Sequence, residues 1–144
     1  MAIKITGFEH VSWASADIEP GASILGLFGI KPTGYEEIHA QAVTSNYFEE
    51  PNSGVRFEII RPWGENSHLH RYLKKHGSGL HHICFQVEDL DDACAQIRAA
   101  GGELVGETFE DSRGRHAFIH PKSTGGVLIG MIELRPEFKS KPKG

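Results

Sequence analysis

Residues 7–12 read GFEHVS and residues 79–84 read GLHHIC, a spacing of 72 in a chain of 144. The offset sets Gly7 on Gly79, His10 on His82 and Val11 on Ile83. It runs without a gap through Asp17-Ile18 onto Asp89-Leu90 and on to Gly29 and Gly101. A repeat of this length restricts the chain to two copies of one supersecondary unit, each too small to be securely stable alone. Both copies open with a strand-like run, FEHVSWA or LHHICFQV, and an acidic corner follows each. Helices of about ten residues are expected next, at 19–28 and 91–100. The second has an acidic first turn and a glycine stop. The first carries Pro20 near its start, where a missing N–H costs little, but Gly21 and Gly26 weaken it.

Three more strands are expected in each half: 33–38, 42–50 and 55–62 in the first, and ELVGET, RHAFIHP and VLIGMIEL in the second. EEPNSG and HPKSTGG read as connections. The pattern is βαβββ twice, an α+β class with two tandem modules in a single domain over 1–144. Module one covers 7–65, a linker helix 66–76, module two 77–135, and a polar basic tail 136–144.

Composition narrows the function classes. Nineteen acidic against 15 basic residues do not favour nucleic acid as a partner. No apolar run approaches the roughly 18 residues of a membrane span, and MAIKITGFEH is a poor signal peptide. Cys84 and Cys94 are too few for a disulfide framework and form no CxxC, so a reducing compartment is expected, cytoplasmic or organellar, with the cytoplasm as the first choice. The glycines form neither GxGxxG nor a P-loop, and no serine sits in a G-x-S-x-G elbow.

The nine histidines stand out in this composition. Strand side chains alternate between faces, so His10 shares a face with Phe8, Ser12 and Ala14, and His82 with Leu80, Cys84 and Gln86. Two repeat-related histidines can meet across a pseudo-twofold axis to hold a metal; the alternative is that each satisfies backbone groups or lies on a wet face. Glu58 and Glu133 sit inside strongly apolar strands, where a carboxylate needs solvent, a partner or a metal. Two His and two carboxylates suit a divalent Co, Mn, Zn, Ni or Fe ion. Glu58 is the candidate if it faces away from Phe57 and Ile59. The repeat takes 58 to 130, which is Gly130, so Glu133 requires three added residues and a bulge that restores pleat parity. His81 points away from His82 and is assigned to the core or to support of the site. His68, His70 and His76 fall in the connector and face water. His120, Lys122 and Arg115 are candidates to meet an anionic substrate group, with a solvated surface role as the alternative.

The doubled modules, the paired histidines in FEHVSWA and LHHICFQVEDLDDA, and the closing HPKSTGGVLI resemble the vicinal oxygen chelate, or glyoxalase-like, superfamily over residues 7–135. GLHHICFQVEDLDDACAQIRAAGG and HPKSTGGVLIGMIEL are similar to the methylmalonyl-CoA epimerases within it. The resemblance implies curved sheets around a metal cleft, with ligands at His10, Glu58, His82 and, through the bulge, Glu133. It also implies a homodimer, and a reaction in which a divalent ion stabilises the enolate of an acyl-CoA thioester while two glutamates exchange the proton. Glu133 would be one of the two. The position of the other carries Ser45, which has no suitable pKa; Glu49 shares its parity but lies four residues on, roughly 13 Å along an extended strand. Position 58 commonly carries Gln in the epimerases, so Glu58 adds a negative charge. These departures keep three functions in view: the epimerase; another metal enzyme of the superfamily (a glyoxalase-type isomerase, a lyase or an Fe(II) dioxygenase); and a non-catalytic protein binding a small ligand.

Overall fold

Each expected strand–helix–strand pattern is present in the structure, a computed structural model that describes residues 2–139. In chain order the first module contains β1 (Ile5–Ala14), α1 (Glu19–Leu27), β2 (Lys31–Ile38), β3 (Val43–Glu49) and β4 (Arg56–Pro62). Helix α2 (His68–His76) follows. The second module contains β5 (Gly79–Val87), α3 (Leu90–Ala99), β6 (Phe109–Glu110), β7 (Gly114–Ile119) and β8 (Ile129–Leu134). The α+β class with two βαβββ modules is what the repeat predicts. One strand is displaced. ELVGET contributes only an isolated bridge from Leu104 to Ile119, and the strand forms instead at Phe109–Glu110. Gly106, at φ +61°, turns the backbone out of the extended conformation in the middle of that run.

The chain divides into two compact units, His10–His82 and the remainder. The expected linker helix belongs to the first of these units. Ser67 caps α2 by accepting from the Leu69 N–H, and Leu69 is fully buried against Ala14, Val43 and Ile60.

In the His10–His82 unit the strand order is β2-β3-β4-β1, with β1 and β4 parallel and the other pairs antiparallel. Helix α1 covers one face, where Leu25, Ile30, Phe48 and Ile59 form a core edged by Trp13 and Phe57. The close approach depends on Gly21: a Cβ there would stand 2.9 Å from both Ile59 Cδ1 and Trp13 Cζ2. Helix α2 covers part of the opposite face through Leu69. Ile59 and Ile60 therefore serve different cores, and the alternation between them sends Glu58 to the face opposite α1. Burial of Phe48 and of Ile59 each stabilises the unit by about 1.5–3 kcal/mol.

In the other unit the order is β5-β8-β7-β6. Asp89 caps α3 by accepting from Asp92 N–H, and the helix packs Leu90, Ala93 and Cys94 on Val87, Ala117, Ile119 and Met131. Glu9, only 2% exposed, accepts from Arg113 Nε at 2.7 Å and from Gln86 Nε2 at 2.8 Å. The Arg113 guanidinium also lies 4.9 Å from the centre of the Phe138 ring. Cys84 and Cys94 are both buried.

Candidate metal centre

Three strands of the His10–His82 unit bring one donor atom each to a common point. His10 Nε2 and His82 Nε2 are 3.0 Å apart. Glu58 Oε2 lies 2.9 Å from the first and 3.4 Å from the second. All three side chains are buried. Around them, Ser45 Oγ donates to Glu58 Oε1 at 2.5 Å, leaving Oε2 to face the histidines. His81 Nδ1 and His82 Nδ1 are 2.8 Å apart. The Ser12 hydroxyl, beside Glu58 in the β1–β4 register, is fully buried with no hydrogen-bond partner among the described residues.

Burial opposes ionisation of Glu58, but the imidazoles of His10 and His82 outweigh it and hold its carboxyl well below the usual range. Burial first, then the neighbouring charge of His82, push His81 down to about 4, which leaves it neutral at pH 7. A neutral His81 can accept the Nδ1–H of His82, and that tautomer leaves the Nε2 lone pair of His82 for ligation.

The donor set fits a divalent cation. Two imidazole nitrogens and a carboxylate oxygen converge within 4.8 Å of one another with no cationic side chain among them. Donors about 2.1 Å from one centre, at about 90–109° to each other, stand about 3.0–3.4 Å apart. The observed separations of 2.9, 3.0 and 3.4 Å match those spacings. His10 Nδ1 is buried without a hydrogen-bond partner among the described residues.

Glu133, the expected fourth ligand, stands on a regular strand. β8 pairs residue for residue with β7 from Ile129 to Leu134, and with β5 from Ile129 to Ile132, so it contains no bulge. The repeat is exact here: Ser12 pairs with Glu58, and Cys84 pairs with Gly130. Glu133, three residues on, has the opposite pleat parity and accepts the Leu90 N–H at the start of α3, at 2.9 Å. Residues missing from the position of Glu58 in the second module are not restored: a Cβ on Gly130 would stand 3.1 Å from the Phe118 ring and 3.3 Å from Cys84 Sγ.

Glu49 is exposed at the far end of β3 from Ser45, paired across the strands with Lys31 and Arg56. The three candidate substrate contacts have other partners. Lys122 pairs with Glu103 at 2.9 Å, Arg115 with Asp91 at 3.0 Å, and His120 Nδ1 accepts the Lys122 N–H. Two polar groups on the site face, Glu36 and Tyr47, carry no signal in local sequence. Only the β2–β3 register shows them, because it sets Glu36 opposite Ser45.

Residues 9–119 match the profile of the Glyoxalase/Bleomycin resistance protein/Dioxygenase superfamily. The chain belongs to this superfamily. Within it, the chain is 31% identical over 131 residues to an ethylmalonyl-CoA/methylmalonyl-CoA epimerase of Cereibacter sphaeroides, a match covering 87% of this chain and 96% of the relative. The fold matches the crystal structure of methylmalonyl-CoA epimerase from Mycobacterium tuberculosis with a TM-score of 0.84 at 30% identity, over 95% of this chain and 94% of that one. It also matches a methylmalonyl-CoA epimerase in complex with methylmalonyl-CoA and NH4+, with a TM-score of 0.82 at 26% identity, over 96% and 100% of the two chains. These relatives place the chain among enzymes of the epimerase/isomerase class.

Among the described residues the candidate donor set contains one carboxylate, Glu58, and Ser45 donates to it. Ser45→Ala removes the hydroxyl that fixes Glu58, and is expected to weaken divalent-ion affinity by about 10–100-fold. Isothermal titration of the metal-free protein measures this, and an unchanged affinity would show that Glu58 needs no such support.

Proposed function

We propose that the protein is a metal-dependent epimerase of methylmalonyl-CoA or a related acyl-CoA thioester. The observation that carries this reading is the buried convergence of His10, Glu58 and His82, in a chain whose relatives include methylmalonyl-CoA epimerases. The acidic carbon of such a substrate lies between a thioester and a carboxylate. A Co, Mn, Zn, Ni or Fe ion, when bound, supplies the Lewis acidity that stabilises the enolate left by proton removal. His10 and His82 offer neutral nitrogen donors and Glu58 a single negative charge, so a divalent site keeps a net charge of about +1 for an anionic, chelating substrate. Ser45 donates to Glu58, and the Nδ1 atoms of His81 and His82 are in hydrogen-bond contact, which leaves Nε2 of His82 turned toward the site. By analogy with the implied ligand set, the carboxylate of this site stands on β4 at Glu58 instead of on β8, where Gly130 is found. Homodimer formation belongs to the same reading and is measurable by sedimentation.

Metal-loaded protein is expected to catalyse incorporation of solvent deuterium at the acidic carbon of methylmalonyl-CoA. Exchange no faster than in the metal-free control would sink the epimerase reading. One observation favours a second reading: two histidines and one carboxylate are also the donor set of non-haem Fe(II) oxygenases. Consumption of dioxygen that depends on ferrous iron and on a bidentate organic substrate distinguishes that reaction from the epimerase. No helix among the described residues is long and apolar enough to cross a membrane.

A further inference from the structure

Ser45 stands where a proton-transfer group is needed, and the strand register shows what stands next to it. Glu36 on β2 is opposite Ser45 on β3, and Tyr47 on β3 is opposite Glu58 on β4. Residues paired across neighbouring strands share a face of the sheet. Glu36, Ser45, Tyr47 and Glu58 therefore lie on one face, together with Ser12 and, two residues before it, His10. Glu36 and Tyr47 are directly joined: Tyr47 Oη donates to Glu36 Oε2 at 3.0 Å. The Arg56 guanidinium stacks 4.8 Å from the centre of the Tyr47 ring and helps hold it in place. Adjacent strands are about 4.8 Å apart, so Glu36 is one strand from Ser45, whose hydroxyl touches the Glu58 carboxylate. The neighbouring carboxylate, Glu37, has the opposite parity and bonds with Tyr35 and His39.

We propose that Glu36, oriented by Tyr47, is the proton-transfer group of this site. The assignment rests on the epimerase reading above. The Glu36 carboxylate takes the proton from the acidic carbon. That C–H bond breaks, an O–H bond forms on Glu36, and the electron pair passes from carbon into the adjoining carbonyl as the enolate. Return of the proton from Glu36 restores the original configuration, whereas delivery by a solvent water to the opposite face gives the epimer. The hydroxide so formed is neutralised by the proton that Glu36 releases to solvent, which restores its carboxylate and a water. Tyr47 donates to the carboxylate throughout and fixes its direction.

The test is deuterium exchange into methylmalonyl-CoA by the metal-loaded wild type and by Glu36→Gln, Tyr47→Phe and Glu37→Gln, with metal content and thermal midpoint measured on each. Glu36→Gln is expected to lower the exchange rate by at least about 100-fold at unchanged metal content. Tyr47→Phe is expected to lower kcat by about 5–10-fold with little change in KM, as the loss of one positioning hydrogen bond predicts. Glu37→Gln should exchange like the wild type. An active wild type with an equally active, folded Glu36→Gln overturns this assignment alone. A wild type with no exchange overturns the epimerase reading and this assignment with it. Should Glu36→Gln fail to fold, Glu36→Asp takes its place: a shortened carboxylate must slow exchange, and exchange at the full rate overturns the assignment.

Discussion

Alanine at position 82 is expected to abolish stoichiometric binding of a divalent ion, with affinity falling by more than about 100-fold. Loss of a partner that only orients a ligand typically costs about 10–100-fold in metal affinity, and His82 is a donor itself. It supplies one of the three donor atoms that converge among the described residues. The Glu133 carboxylate is engaged within its own unit, where it accepts the Leu90 N–H. Elemental analysis of the purified variant, followed by titration with Co or Zn, reads the effect. His68→Ala is the matched control: His68 is exposed at the start of α2 and outside the donor set, so that variant should retain its metal. Unchanged metal content in His82→Ala would refute the site.

The largest stability effect is expected away from the metal centre, at Arg113. Its guanidinium makes two hydrogen bonds to Glu9, from Nε at 2.7 Å and from Nη2 at 3.0 Å, and Glu9 is only 2% exposed. Arg113→Ala leaves that carboxylate buried with its main counter-charge gone. Breaking a buried pair from one side costs about 3–5 kcal/mol, because the remaining charge has lost the interaction that offset its desolvation. For a chain of this length the thermal midpoint should fall by roughly 10–15 °C. The double variant Glu9→Gln, Arg113→Met removes both charges and should recover most of the loss, since Gln86 can still bond to the amide. A single variant that loses less than about 1 kcal/mol in urea unfolding would show that solvent or another group already compensates Glu9.

The donor set also explains how the site differs from the pattern implied by the resemblance. Glu58 in place of the usual Gln adds a negative charge, and Gly130 in place of a ligand removes one. The two departures cancel in charge and differ in position. The serine at 45 is then part of the same arrangement, because an anionic Glu58 can accept its hydroxyl hydrogen bond. On the proposed reading, these changes alter which strand carries the negative charge of the candidate site.

The order of strands and helices was legible from the chain because the cues are local. Apolar alternation, a proline in the first turn of α1, the Asp89 cap of α3 and the 72-residue offset all lie within a few residues of what they specify. The offset also located His82 from His10. Glu58 could be placed within β4, but not on a face, because Ile59 and Ile60 are equally apolar. Packing decided it by giving Ile59 to the α1 core and Ile60 to the α2 core. The bulge required for Glu133 is a property of strand pairing, and the regular β7–β8 ladder excludes it. Glu36 became visible only through the β2–β3 register, which brings residues nine positions apart in sequence (45 − 36) side by side. Side-chain alternation along a strand is written in the sequence. Which strand lies beside it, and in what register, depends on contacts between distant segments, and those contacts decided which polar groups share the site.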